Sequence, residues 1–344
     1  MDVSPLGRTD LTVSRLGLGT MTFGEQNTAE EAFRLLDLAL DRGVNLIDAA
    51  ELYPIPPRAE TAGRTEEIVG AWLRARRNRA RIVLATKAAG PGIQHIRKGR
   101  LVFERNNLRA AIEGSLKRLG TEMIDLYQLH WPERKTNCFG RLGYEHVEAE
   151  TFTPFAEILD TLAEHVRGGT IRAVGVSNET PWGLMAFLGL ADRPGLPRMA
   201  SIQNPYSLLN RSFEVGLAEV AIREDCGLIA YSPLGMGTLS GKYLGSPPPA
   251  RGRLSLFPHY QRYTNPQAFT ATKAYVALAR VHGLSPAAMA IAFVASRPFV
   301  TSVLLGATTP AQLEETLTAA TLRLDRAVLD GLDAIHTATP NPAP

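Results

Sequence analysis

Arg81-Ile82-Val83-Leu84-Ala85-Thr86-Lys87, then Glu104–Leu119, then Met123-Ile124-Asp125-Leu126-Tyr127-Gln128-Leu129-His130 is the stretch that decides the fold. Two short apolar runs rich in β-branched residues flank a longer stretch of helical period. That order reads as strand, helix, strand, with the strands parallel. The same unit repeats outward in both directions. Upstream lie Arg15–Leu18 with Ala29–Asp41, and Val44–Ile47 with Thr65–Arg77. Downstream, Met123–Leu129 is followed by Pro154–Arg167, Ile171–Val176 by Pro181–Leu190, and Met199–Ile202 by Phe213–Glu224. Leu228–Ala230 with Gln267–His282 and Val300–Leu305 with Pro310–Ala319 complete the series. Eight βα units over about 300 residues favour a closed (β/α)8 TIM barrel, of α/β class, over a doubly wound open sheet.

What lies outside the repeat is short. Val3–Val13, with Leu6-Gly7-Arg8-Thr9-Asp10 between apolar pieces, predicts an N-terminal β-hairpin covering the barrel floor. Asp325–His336 predicts an extra C-terminal helix, and Thr337–Pro344, with its prolines, an irregular tail. No Gly/Ser or Pro-rich linker divides the chain. Residues 1–344 therefore read as one domain: hairpin 1–14, barrel 15–320, C-terminal helix and tail 321–344. Two connections are too long for plain turns: Trp131–Thr153 after the fourth strand and Ser232–Pro266 after the seventh. Long loops at strand C-terminal ends are where barrel enzymes build their sites. The substrate pocket is expected between Trp131–Thr153 and the tail.

Composition excludes several classes. With 45% hydrophobic and 21% charged residues the chain supports a packed core, and disorder is excluded. A net charge of +3, scattered evenly, does not describe a nucleic-acid partner. No apolar run approaches the roughly 20 residues that span a bilayer, so no membrane partner is expected. Met1-Asp2-Val3-Ser4-Pro5 has neither the basic nor the apolar region of a secretory signal. Cys138 and Cys226 lie apart without CxxC spacing, which points to a reducing cytoplasm and to neither disulfide nor thiolate metal site. The histidines do not cluster at ligand spacing, so no metal is expected.

Six successive strands end in residues that would face one mouth: Asp48, Lys87, His130, Ser177-Asn178, Gln203-Asn204 and Tyr231-Ser232. Asp48 and Lys87 are of the types that form a partly buried ion pair. Tyr53, five residues past Asp48, is close enough to return over the mouth. An ammonium nearby favours its phenolate, so the hydroxyl pKa is expected to fall from about 10 toward working pH, making a general acid. His130 would hydrogen-bond the oxygen being protonated. With no activated Ser or Cys in view, the nucleophile at the adjoining carbon is a cofactor hydride. Taken singly, each residue also has a structural reading: His130 as a packed histidine, Tyr231 as a core aromatic, Ser177-Asn178 as a helix cap before Pro181, Lys242 and Arg253 as solvated charges. Met21 and Trp131 fit either pocket or core.

These residues resemble the aldo-keto reductase superfamily. Leu16-Gly17-Leu18-Gly19-Thr20-Met21-Thr22-Phe23-Gly24 resembles its first-strand signature and Asn45–Tyr53 its D-x4-Y segment. Asp125–Trp131, Gly175–Asn178, Gln203–Tyr206, Tyr231–Gly235 and Gly306–Thr309 are similar to further signatures, in order and at barrel spacing. Asn137-Cys138-Phe139-Gly140 and Asn204–Glu219 most resemble the bacterial Tas-type branch, whose members use NADP(H).

The resemblance implies NADPH-dependent reduction of a small aldehyde or ketone to an alcohol. It makes Tyr53 the general acid, Lys87 the group that lowers its pKa, Asp48 the holder of Lys87 and His130 the orienter of the carbonyl. Met21, Tyr53, His130 and Trp131 would line the substrate pocket. Ser177, Asn178 and Gln203 would hold the nicotinamide carboxamide and Tyr231 would stack on its ring, beside Gly19, Thr20, Met21 and Asp48. Ser232, Pro233, Leu234, Gly237 and Leu239 would line the loop over the pyrophosphate, with Lys242 and Arg253 turned toward phosphate. Gly306, Ala307, Thr308, Gln312 and Glu315 would surround the adenosine end. Gln312 departs from the family, where many members carry an arginine for the 2′-phosphate; a neutral amide is a weaker partner, and Lys242 and Arg253 would compensate. Gly17-x-Gly19 is followed by Thr22 and by no immediate helix, so it is not a Rossmann fingerprint. Two rival readings stand: a lyase or aldolase forming a Schiff base on Lys87, and a nucleotide-binding regulatory subunit with little turnover.

Overall fold

A computed structural model describes the chain from Met1 to Pro344. Strands β1 (Val3–Pro5) and β2 (Thr12–Ser14) pair antiparallel. Eight further strands, β3 (Leu16–Gly19), β4 (Leu46–Asp48), β5 (Val83–Ala88), β6 (Ile124–Leu129), β7 (Ile171–Ser177), β8 (Met199–Pro205), β9 (Gly227–Tyr231) and β10 (Val300–Leu305), hydrogen-bond in sequence order. All are parallel, and β10 returns to β3, so the sheet is a closed barrel. Around it run α1 (Ala29–Asp41), α2 (Arg64–Arg76), α3 (Arg105–Leu119), α4 (Phe155–Arg167), α5 (Pro181–Leu190), α6 (Leu217–Arg223), α7 (Arg253–Leu256), α8 (Pro266–Val281), α9 (Pro286–Ala295), α10 (Pro310–Leu317) and α11 (Arg326–Ala338).

Local chemistry explains where the helices begin. Thr28 and Glu31 form a reciprocal capping box at the start of α1. Helices α5, α8, α9 and α10 each open with proline, whose missing N–H costs nothing there, behind a Thr180, Asn265, Ser285 or Thr309 side chain that accepts a first-turn amide. Thr180, not Ser177 or Asn178, is thus the cap before Pro181.

The barrel interior is graded along its axis. Side chains two residues apart on a strand face the same way. Leu46, Ala85, Leu126, Ala173 and Ile229 form a lower apolar layer, which Leu6, Leu11 and Val13 of the hairpin seal from below. Gly7 makes that seal possible: its φ is +56° and a Cβ would lie 2.4 Å from the Ala200 carbonyl oxygen. Two residues further along the same strands stand Asp48, Lys87, Gln128, Gly175 and Tyr231, with Ser177 two residues beyond Gly175.

Three expectations change. α9 was not anticipated; its ten residues are almost all apolar and almost all buried, so no face-to-face alternation marks it. The helix expected over Phe213–Glu224 is broken at Gly216 into a 3-10 turn, Ser212–Val215, and α6. The long connection after β9 contains the short helix α7. No single helix is long and apolar enough to cross a membrane.

Candidate active site

Asp48 and Lys87 meet at the C-terminal end of the barrel. Lys87 Nζ donates to Asp48 Oδ2 at 2.5 Å and to the Ala49 carbonyl at 2.8 Å, and its side chain is 0% exposed. Asp48 Oδ1 accepts from Gln203 Nε2 at 2.9 Å and Gln128 Nε2 at 3.1 Å. The pair is therefore fully buried, deeper than the sequence suggested, and every charge-bearing atom has partners, which a buried pair requires. Burial lowers the Lys87 pKa and Asp48 opposes that shift. Gln128 belongs to this network although no role was foreseen for it. The Lys87 ammonium is not on the cleft wall, which leaves it no access to a carbonyl carbon.

Tyr53 sits on the loop after β4, its amide on the Ala50 carbonyl at 3.1 Å. Lys87 Nζ lies 4.9 Å from its ring centroid, and the His130 ring stands edge-on to it at 5.6 Å. The expected fall in the Tyr53 pKa does not occur. Burial raises it, Asp48 raises it further, and Arg253 opposes. The physical reason is that the Lys87 charge is already matched by Asp48, so desolvation of the phenolate dominates. The hydroxyl stays protonated and available as a donor. His130 is held well below its ordinary pKa by burial first and Lys87 second, so it is neutral, and its Nδ1 has no hydrogen-bond partner.

Beside this group, Asn178 Nδ2 donates to the His130 carbonyl at 2.9 Å and to Ser177 Oγ at 3.1 Å, while Tyr231 OH donates to Asn178 Oδ1 at 2.6 Å. Ser177 Oγ donates to the Gln203 carbonyl at 2.7 Å. Asn178 adopts φ +53° and Ser232 φ +54°, left-handed conformations uncommon outside glycine that gather at functional sites.

A continuous cleft of about 1350 Å³ runs from Tyr53, His130 and Trp131 across the mouth to Thr308, Gln312 and Glu315. Gly19, Met21, Asp48, Ser177, Asn178, Gln203, Tyr231, Ser232, Pro233, Leu234, Gly237, Lys242, Arg253 and Gly306 line it between those ends. Thr20, Leu239 and Ala307 do not: all three are buried behind the wall, Thr20 with its hydroxyl on the Asp48 carbonyl at 2.8 Å. The tail does not line the substrate end either. Asn265 Nδ2 holds the Pro342 carbonyl at 2.8 Å and the Ala343 amide donates to the Leu209 carbonyl at 3.1 Å, which sets the tail behind the wall, with the Pro344 carbonyl oxygen and Arg262 both packed against Gly140; the loop after β9 lines the cleft instead.

The middle of the cleft is cationic. Lys242, Arg251 and Arg253 line it without carboxylate partners, and Arg253 lowers the pKa of Lys242 in addition to the effect of burial. Gly237, at φ +93°, lets Lys242 fold over the loop: a Cβ there would lie 2.7 Å from Lys242 Cε. Arg253 reaches Gln26 Oε1, across the cleft, at 3.4 Å. Mutually repelling cations held in a long cleft are relieved by an anionic group between them, so these residues fit a dinucleotide pyrophosphate. Arg251 and Gln26 carry no motif of their own: Arg251 lies within the long loop after β9, and Gln26 in the connection between β3 and α1. At the far end, Gln312 Oε1 accepts from the Thr308 amide at 3.0 Å and hydroxyl at 3.1 Å, at the N-terminus of α10.

A closed parallel barrel with titratable residues gathered at its strand ends, over a cleft built from the following loops, defines a (β/α)8 enzyme. Residues 15–337 match the Aldo/keto reductase family, and the chain belongs to that family, whose members are oxidoreductases acting on carbonyl compounds. "Protein tas" of Escherichia coli strain K12 is 51% identical with the whole of both chains aligned. "Uncharacterized oxidoreductase YrpG" of Bacillus subtilis is 33% identical, covering 97% of this chain and 96% of its own. "Aldo-keto reductase YhdN" of the same organism is 29% identical over 91% of this chain and 87% of its own.

Proposed function

We propose that this protein reduces a small aldehyde or ketone to an alcohol with NADPH, and that Tyr53 is the general acid. The observation that carries the reading is the convergence of Tyr53, a neutral His130 and the buried Lys87–Asp48 pair at one end of a cleft whose middle is cationic. When bound, the dinucleotide supplies the hydride. His130 donates to the carbonyl oxygen through one ring nitrogen and polarises the carbon. Tyr53 O–H passes its proton to that oxygen; Arg253, and Lys87 4.9 Å from the ring centroid, are the positive charges that offset part of the cost of the buried phenolate left behind. Asp48, Gln128 and Gln203 hold Lys87 in place. Ser177, Asn178 and Gln203 orient the nicotinamide and Tyr231 stacks on it. Lys242, Arg251 and Arg253 hold the phosphates; three cations exceed what the pyrophosphate shared by both nucleotides needs, and the surplus favours the 2′-phosphate of NADPH despite the neutral Gln312. Gly306, Thr308, Gln312 and Glu315 surround the adenosine end.

Residues 1–344 form one domain in this reading, supported by a core of 68 buried residues that draws from Leu16 to Ala343. The unpaired Cys138 and Cys226 support a reducing, cytoplasmic setting. Titration of the protein with NADPH and NADH, followed by nicotinamide absorbance with 4-nitrobenzaldehyde, tests the function. Tighter binding of NADPH and its oxidation by the aldehyde are expected. Binding of neither nucleotide overturns the reading.

A further inference from the structure

The substrate end of the cleft is walled by the two long loops, and its charges are unequally matched. Arg134, Lys135, Arg141 and Arg262 all line this wall. Arg134 is paired with Glu179 and lies over the rings of Phe155 and Trp182, and Lys135 is paired with Glu145 at 2.7 Å; Arg141 and Arg262 have no carboxylate at ion-pairing distance. The acids that share the wall are committed elsewhere. Glu133 accepts from the amides of Phe103 and Thr153, and Glu150 from that of Lys135.

Arg262 is half-buried and close to the reacting groups. Its guanidinium lies 6.0 Å from the Phe139 ring centroid and beside the Tyr231 hydroxyl. Phe139 stands edge-on to Trp131 at 5.7 Å, and Trp131 packs on His130 at 4.9 Å. A ring of contacts therefore runs from Tyr53 through His130, Trp131 and Phe139 to Arg262, and back through Tyr231 and Asn178. A molecule whose carbonyl oxygen meets Tyr53 and His130, and whose body lies along Trp131 and Phe139, ends against this guanidinium. The Pro344 oxygen packs against Gly140 alongside Arg262 without forming an ion pair with it. A partly desolvated guanidinium without a direct counter-ion is costly, and a carboxylate matches its fork with two parallel hydrogen bonds. Arg141, exposed at the rim, adds to the same field, and the Cys138 thiol between them feels both charges.

We infer that the substrate carries a carboxylate at the end opposite its carbonyl, gripped by Arg262 with Arg141 at the rim, and that a flat apolar body joins the two groups. This rests on the reductase reading above. The test compares kcat/KM for 2-, 3- and 4-carboxybenzaldehyde with that for their methyl esters, in the wild type, Arg262→Leu and Arg262→Lys, with NADPH Kd measured for each. At least one acid is expected to exceed its ester by about 10- to 100-fold in the wild type. Arg262→Leu brings that ratio close to one through KM, Arg262→Lys restores part of it, and NADPH Kd stays near the wild-type value. Esters reduced as well as every acid, a ratio that survives Arg262→Leu, or an NADPH Kd that rises in step with KM overturns the inference and leaves the reductase standing. NADPH oxidation by none of the aldehydes, acid or ester, overturns the reductase reading and the inference with it.

Discussion

The two ends of the barrel are built by the same strands and do opposite things. β4 places Leu46 below and Asp48 above; β5 places Ala85 below and Lys87 above; β6 places Leu126 and then Gln128; β9 places Ile229 and then Tyr231. One pleat repeat separates an apolar layer sealed by the hairpin from a layer of charges and amides. The lower layer has nothing to titrate and is closed to solvent by Leu6, Leu11 and Val13. The upper layer is equally dry at Lys87 and Asp48 but opens at Tyr53 and His130. The comparison teaches that the floor holds the strands in fixed register, so the polar layer above is positioned before any ligand arrives. Groups that need not reorganise stabilise developing charge most strongly.

The comparison can be broken from the mouth first. Tyr53→Phe removes one oxygen and no packing, so kcat should fall at least ~100-fold while the melting temperature and NADPH Kd stay near the wild type. Unchanged turnover would remove Tyr53 from the mechanism. Lys87→Met leaves the Asp48 carboxylate buried without its cation, and should cost about 3–5 kcal/mol of stability in denaturant unfolding, with Asp48→Asn in the same chain recovering part of it. Recovery of none would mean the two charges do not interact as placed.

The floor should respond differently. Leu126→Ala empties space in the sealed layer and should cost about 2–5 kcal/mol, with kcat of the folded fraction retained. Loss of kcat without loss of stability would reverse the division of labour between the layers. Smaller effects sharpen the picture. His130 is depressed by burial, so the unfolded chain takes up its proton near pH 6.5 while the folded chain does not. Its contribution to stability is complete above about that pH and is lost as pH falls below it. Melting temperature against pH should therefore show a steeper acid decline in the wild type than in His130→Gln. Finally, burial pushes the Cys226 thiol up to about 12, whereas Cys138 lies on the cleft wall. A thiol reagent should titrate one cysteine in the native protein and two after unfolding.

Much of this was legible in the residues. The alternation of β-branched runs with helical stretches located all eight barrel strands, and the polar residues closing those runs located the mouth. Asp48, Lys87, His130 and Tyr231 stand where a period of two places them. The unread parts have physical reasons. α9 is apolar on every side because it is buried on every side, so periodicity carries no signal. Gln128 carries no motif of its own; its part in the site depends on Asp48 Oδ1, which accepts from it across the barrel.

The sequence by itself determined the barrel, its hairpin floor and the set of side chains at the strand ends, because hydrophobic period and chain punctuation are local properties. Only the tertiary structure decided which charges are matched and which are free. The distances that pair Lys87 with Asp48, Arg134 with Glu179 and Lys135 with Glu145, and that leave Lys242, Arg253 and Arg262 unpaired along one cleft, join loops far apart in the chain. The direction of the Tyr53 shift was decided there too, because desolvation depends on what surrounds a group in space and not on what precedes it in the chain.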